Sequence, residues 1–414
     1  MNKRSLLLCN KQSLSLRNKI FWLLVAVLVF LIFRSWFSFG EISAGDAAFY
    51  FTSTLKDLTF FPYIWFNIEL GRYSSLLFSF SYLILPLKLL SLLGLPWILI
   101  ERIVWYWPFL GLDIFSSWYL IKTVLPEARF KFLAPFVYLF NTYILMIVGG
   151  GQVSIFLPYA IAPLVLGLFI QLINCPIANY ELRVRKIIMV GVALAVQVCF
   201  EPRIAYIALL AIGIYLLFQL FNCELRIANL IKNLGISFAI TGLLHFYWIL
   251  PTILLRKPSF EPGLAKAGWV EFLSFADFSN SLSLLHPNWS ENIFGKTYFF
   301  RPEFLILPIL AFSSLLFINY SITNYELRIK KNVLFRQKQT CLFFALLALI
   351  GAFLAKGSKP PFGEVYLWLF KYFPGMNMFR DPTKFYILVA LSYSVLIPFS
   401  VEQIYLYLRK KFNN

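Results

Sequence analysis

The chain reads as an all-α polytopic membrane protein of about ten transmembrane helices, and three observations carry that reading. First, 60% of its 414 residues are hydrophobic and only 14% are charged, with a mean hydropathy of +0.75. A soluble core does not need that much apolar surface. Second, apolar runs approaching or reaching the length that crosses a bilayer, about 20 residues, recur along the sequence. Third, Lys and Arg concentrate in alternate loops between those runs, as they do where loops face the cytoplasm.

The elements follow in order. Met1 to Lys19 is basic and precedes the apolar stretch Ile20–Phe33, an arrangement shared with signal peptides. No small-residue cleavage site follows, so an uncleaved first span over 20–39 is expected. Further spans are expected at 97–121, 132–147, 155–173, 187–200, 204–221, 234–254, 304–319, 340–355 and 383–407. The run 73–95 is long enough to span but contains Pro86 and Lys88 and ends at Leu95-Pro96. It is read as a helix lying in the outer interface or re-entering, because a full span there would turn every later basic loop outward. With both termini inside, the inner segments hold 21 basic residues against four acidic ones, and the outer segments together with Lys384 fourteen against twelve. The chain then divides into a seven-span module over 1–254 whose first outer loop is 40–96, a large extracytoplasmic loop over 255–303, and a three-span module over 304–414.

Composition excludes several functions. The net charge of +18 marks cytoplasmic loops rather than a nucleic-acid surface. The five cysteines are scattered without a C-x-x-C pair, and His245 and His286 are the only histidines, so neither a zinc site nor a disulfide framework is indicated. No carboxylate cluster for a divalent metal is evident. Three inner loops share a phrase, Asn179-Tyr-Glu-Leu-Arg, Cys223-Glu-Leu-Arg and Asn324-Tyr-Glu-Leu-Arg. Their spacing is irregular, which rules out a solenoid. A translated repetitive element tolerated in surface loops accounts for them better than a partner-binding motif.

The long polar segments 40–72, 255–303 and 356–382 are all outer, so chemistry is sought there. Asp46 ends a Gly-Glu-Ile-Ser-Ala-Gly-Asp phrase just after the first span, with Asp57 and Glu69 beyond it. A carboxylate at a membrane surface can take a proton from a hydroxyl, although Gly-Asp is also an ordinary turn pair. Gly149-Gly-Gly-Gln152 is a short outer turn that permits close approach of a ligand or of backbone. It lacks nucleotide-loop spacing. Glu201-Pro-Arg203 is a second outer turn, read equally as a helix hairpin held by an ion pair. Before the last span, Asp381 is an expected N-cap with Pro382 at the first helical position, and Arg380 and Lys384 flank that helix N-terminus. Two cations and free backbone N–H groups suit a phosphate, and a capped helix with headgroup-binding cations suits the same residues. Glu101 and Arg102, near the outer end of the second span, either face the site or form a local pair; Asp113 lies deeper in that span.

These features in this order resemble the GT-C superfamily of integral-membrane glycosyltransferases. Local phrases are similar to alpha-(1->3)-arabinofuranosyltransferase (AftD-type) and YfhO-type membrane proteins. They are Trp65 through Gly71-Arg-Tyr, Gly94-Leu-Pro-Trp-Ile-Leu-Ile-Glu-Arg-Ile-Val-Trp105, Tyr138-Leu-Phe-Asn-Thr-Tyr143, Leu157-Pro-Tyr-Ala-Ile-Ala-Pro163, Phe246-Tyr-Trp-Ile-Leu-Pro251 and Phe379-Arg-Asp-Pro-Thr-Lys-Phe385. The chain lacks the extended C-terminal region with carbohydrate-binding modules found in the long members. The resemblance implies a polyprenyl-phosphate sugar as donor, a cell-envelope glycan or lipid as acceptor, and an outward-facing site in the plasma membrane. It implies Asp46 as catalytic base. Arg380 and Lys384 would clamp the donor phosphate, with Arg203 and Arg301 in reserve. Glu69, Gln152, His286 and Trp289 would contact sugar or acceptor, Trp289 as a stacking face or as an interfacial anchor. A lipid-linked glycan transporter and a catalytically silent protein on the same scaffold are the alternatives; a transporter calls for polar residues along several spans, and they are few.

Overall fold

A computed structural model describes residues 21–42, 65–66, 72–73, 81–174, 180–222, 227–255, 266–285, 302–323 and 331–412. Apart from one two-residue antiparallel pairing of Trp65–Phe66 (β1) with Arg72–Tyr73 (β2), regular structure in these residues is helical. Four described helices are long and apolar enough to cross a membrane, and a bent pair makes a fifth.

The helices track the apolar runs, with instructive differences. Phe21–Ile32 (α1) ends in a 3-10 turn, Arg34–Phe37. Ser81–Leu92 (α2) carries Pro86 inside it. The next run forms Trp97–Glu101 (α3), a π-helical turn over Arg102–Tyr106, and Trp107–Val124 (α4). The run at 132–147 is not one helix. It breaks into Leu133–Leu139 (α5) and Thr142–Gly149 (α6), because Asn141 adopts an extended backbone and caps α6, its Oδ1 accepting from the Ile144 N–H at 3.1 Å. Val153–Ile173 (α7), Tyr180–Phe200 (α8) and Pro202–Asn222 (α9) follow.

Ile227–Leu244 (α10) and Phe246–Leu255 (α11) meet at a bend of 81° centred on His245. There Trp248 Nε1–H donates to His245 Nδ1 at 2.9 Å, so the ring proton sits on Nε2, which donates to the Ala195 carbonyl at 2.8 Å. Both ring nitrogens are satisfied and the imidazole is neutral. Short helices Ala267–Leu273 (α12) and Phe278–Leu282 (α13) precede Ile306–Thr323 (α14), Lys331–Ala355 (α15), Gly363–Tyr372 (α16) and Tyr386–Phe412 (α17).

α7 and α17 form the interior: 89% of the most apolar window of each is buried, against 39% for α9 and 56% for α15. Helices apolar all round belong inside a bundle. α4, α8 and α9 pack on α7, while α15, α14 and α5 pack on α17. Glycine permits two of the closest approaches. A Cβ at Gly351 of α15 would lie 2.6 Å from Leu388 Cβ of α17, and one at Gly191 of α8 would lie 2.8 Å from the Ser237 carbonyl of α10.

Pro163 inside α7 leaves a carbonyl without its helical donor, and a side chain supplies the replacement. Pro163 has no N–H for the Tyr159 carbonyl, and the Tyr138 hydroxyl donates to it at 2.8 Å. The Tyr159 hydroxyl returns a bond to the Tyr138 carbonyl at 2.7 Å, and the two rings stack 4.2 Å apart.

Candidate functional site

The N-terminal ends of α6, α9 and α17 converge because the chain segment before α17 seats on the first turn of α9. The Tyr206 hydroxyl donates to the Pro374 carbonyl at 2.7 Å, and its ring lies 5.4 Å from that of Phe379. Gly375 sits at φ +81°, where a Cβ would come within 2.7 Å of the Tyr206 ring, so glycine is required by both conformation and space. Tyr366 of α16 holds the same segment through a bond to the Phe379 carbonyl at 2.7 Å.

This seating brings together two ion pairs 180 residues apart in sequence. Arg203 grips Glu201 at two points, Nε to Oε1 and Nη2 to Oε2, each 2.8 Å. Lys384 Nζ lies 2.6 Å from Asp381 Oδ2. Asp381 Oδ1 also accepts from the Thr383 N–H at 3.1 Å and from the Thr383 hydroxyl at 2.6 Å. The sequence reading of Asp381 as N-cap and Pro382 as first residue is matched here, although the helix opens with a 3-10 turn over Pro382–Phe385. The pairs act on each other: the Lys384 charge reaches the Glu201 carboxylate and the Asp381 charge reaches Arg203. Burial alone would raise the Glu201 pKa, but the Arg203 bond and charge and the Lys384 charge outweigh it and hold the carboxyl below its ordinary value.

Tyrosines wall the cluster. Tyr143 of α6 stacks on Tyr386 of α17 with centroids 5.4 Å apart and planes 6° from parallel. Tyr386 donates to the Leu285 carbonyl at 2.9 Å and Tyr393 to the Leu282 carbonyl at 2.6 Å. Together with the bond from the Thr142 hydroxyl to the Leu284 carbonyl, these pin the end of the 266–285 segment against α6 and α17.

The candidate cations therefore separate. Arg203 and Lys384 share the cluster, and each already holds a carboxylate. Arg380, three residues before Thr383, instead lies over the Trp269 ring of α12 at 5.7 Å. Gln152 is half-buried at the N-cap of α7 and has no hydrogen bond to the cluster among the described residues. Asp46, Glu69, His286, Trp289 and Arg301 lie outside the described residues. The ion pair at Glu201-Pro-Arg203 is one of the two sequence readings, whereas sequence reasoning missed the pairing of Asp381 with Lys384 and the wall of Tyr143 and Tyr386. The i, i+2 and i, i+3 charge spacings were a signal for each pair but not for their meeting.

The stretch from Trp36 to Ile42 is also fixed. Arg102, buried in the π turn, donates from Nη2 to the Ser38 and Gly40 carbonyls at 2.7 Å each and from Nε to the Trp36 carbonyl at 3.1 Å. It also pairs with Glu101 at 2.9 Å, and Glu101 accepts from the Ile42 N–H at 2.8 Å. Of the two readings of Glu101 and Arg102, the local pair is the one found, and it clamps the chain four residues before Asp46. Asp113 is fully buried in α4, and neither carboxylate oxygen has a hydrogen-bond partner among the described residues. No group of three or more potential metal-binding side chains occurs among the described residues.

The fold and the cluster together belong to a helical protein with several apolar helices able to span a membrane. No protein-family model matches the chain, and no curated protein or solved structure matches it.

Proposed function

We propose that this protein is a polyprenyl-phosphate-dependent glycosyltransferase of GT-C type, with about ten spans, both termini cytoplasmic and its reacting face extracytoplasmic. The observation that carries the reading is the meeting of Glu201–Arg203 with Asp381–Lys384 at the helix ends opposite the basic loops. Such a cluster can exchange a carboxylate for a lipid phosphate at little electrostatic cost, since each cation keeps an anionic partner.

In this mechanism Asp46 accepts the proton of the acceptor hydroxyl. The acceptor oxygen forms its bond to the anomeric carbon as the bond from that carbon to the phosphate oxygen breaks. The electron pair leaves with the polyprenyl phosphate, whose added negative charge Lys384 and Arg203 offset, with Arg380 at the rim. The Arg102–Glu101 clamp serves to hold the strand leading to Asp46 in place. Glu69, Gln152, His286, Trp289 and Arg301 are assigned to the sugar and acceptor side, and no metal is invoked.

Transport of a lipid-linked glycan is the second reading, and the buried Asp113 favours it. The test is transfer of radiolabelled sugar from a polyprenyl-phosphate donor pool in membranes. Wild type should transfer, and Asp46→Asn at matched expression should lose at least about a hundredfold in rate. Equal transfer in both removes Asp46 from the mechanism.

A further inference from the structure

Asp113 has no part in the chemistry above, and its surroundings are unusual for a carboxyl. It is fully buried in α4, with no hydrogen bond to either carboxylate oxygen among the described residues. Phe109, Asp113, Ser116 and Leu120 recur at the spacing of one helix face. On that face Phe109 packs on Phe156 of α7 with ring centroids 5.1 Å apart, the Ser116 hydroxyl donates to the Ala160 carbonyl, and Leu120 is backed by Gly167. Asp113 therefore stands at the contact of α4 with α7, between the levels of Phe156 and Ala160.

The hydroxyls around it are committed to carbonyls. That of Ser116 goes to Ala160, and that of Ser117 goes to the backbone carbonyl of Asp113 itself at 2.6 Å. Tyr138 and Tyr159 are the titratable side chains of α5 and α7, and both phenols sense the charge of Asp113. Each donates to the other's backbone carbonyl. Arg102 of the π turn is held by Glu101 and by the Trp36, Ser38 and Gly40 carbonyls. On α17, Tyr386 and Tyr393 donate to Leu285 and Leu282, and Glu402 accepts from the Arg129 N–H. α1, which meets α4 where Trp22 packs on Trp118, has no titratable side chain between Phe21 and Ile32. An anion at Asp113 would thus have neither water, donor nor counter-charge. The neutral acid escapes most of that cost.

We infer that Asp113 is a proton-binding site in the interior of the bundle, its carboxyl held as the neutral acid at neutral pH. One O–H bond forms on a carboxylate oxygen, with bulk water as the source of the proton. The inference rests on burial between α4 and α7 and not on the glycosyltransferase reading, so either can fail without the other.

Infrared spectra of the full-length protein in lipid bilayers read a protonated carboxyl through its C=O stretch, apart from the carboxylate and amide bands. At pH 7 an ordinary aspartate is ionised about a thousandfold more than it is protonated. Wild type should nevertheless show a protonated-carboxyl band at pH 7. Asp113→Asn should lose one carboxyl's share of it, with the amide bands of the helices unchanged. Wild type carrying 13C at its aspartate carboxyls should show the band shifted, which assigns it to an aspartic acid without any variant. Absence of the band from wild type at pH 7 overturns the inference. So does a band of equal size in wild type and in a folded Asp113→Asn, and so does a band that the aspartate label leaves wholly unshifted.

Discussion

Glu201 sits at a turn with its carboxylate turned back onto Arg203, and its pKa lies below the ordinary carboxylate value because that cation and Lys384 outweigh the effect of burial. A depressed carboxyl contributes stability above its unfolded pKa and loses it as pH falls through the folded one. Glu201→Gln should therefore lower thermal stability at neutral pH. The loss should be about 2 kcal/mol, less than for a wholly buried pair because Arg203 keeps 23% of its side chain exposed. The difference between wild type and variant should shrink on acidification below about pH 4; a difference constant with pH would show that the pair does not titrate as described. Tyr159→Phe provides a contrast without charge. It removes the hydroxyl that donates to the Tyr138 carbonyl and accepts from Asn141 Nδ2 at 3.0 Å. Leaving these buried groups short of partners should cost about 1–3 kcal/mol, independent of pH.

Among elements, the tightest dependence is that of α15 on α17 through Gly351. Gly351→Leu forces side-chain volume into a space where even a Cβ meets Leu388 at 2.6 Å. A loss of at least about 2 kcal/mol in thermal stability is expected, and an unchanged melting temperature would contradict the packing. Much of this scale was legible in the sequence. The apolar runs at 155–173 and 204–221 and the capped start near 382 lie within two or three residues of helices or turns, since run length and Asp-Pro chemistry are local signals. The break at Asn141 has a local signal in its cap on Ile144, with the bond to Tyr159 added by another helix. What local signals could not give is the 81° bend at His245, whose partner Ala195 another helix brings in. The cluster shares this limit. Each ion pair is readable from its spacing, but their meeting depends on Tyr206 receiving the segment at Pro374, 168 residues later.

For the whole molecule, the separation of a basic end from the ion-pair end makes orientation measurable. Single cysteines placed at Lys359 and at Lys410 should behave oppositely in intact cells. An impermeant thiol reagent should label the first and reach the second only after permeabilisation, and labelling of Lys410→Cys in intact cells would invert the topology. The charge asymmetry that supports this was fully legible in composition, because the positive-inside bias is carried by loop residues whatever the helices pack against. The number of spans is less directly readable. α4 and α14 are interrupted or shortened by π and 3-10 turns and by polar residues whose place is set by neighbours.

One feature of the bundle bears on how it is made. α17 is buried on nearly all sides and touches α5, α14 and α15, yet within this sequence it is the last helix to leave the ribosome. α5, α14 and α15 are therefore made before the helix they pack against exists. The cluster needs Asp381 and Lys384 as well as Glu201 and Arg203, so a copy made only as far as α15 has no assembled site to expose.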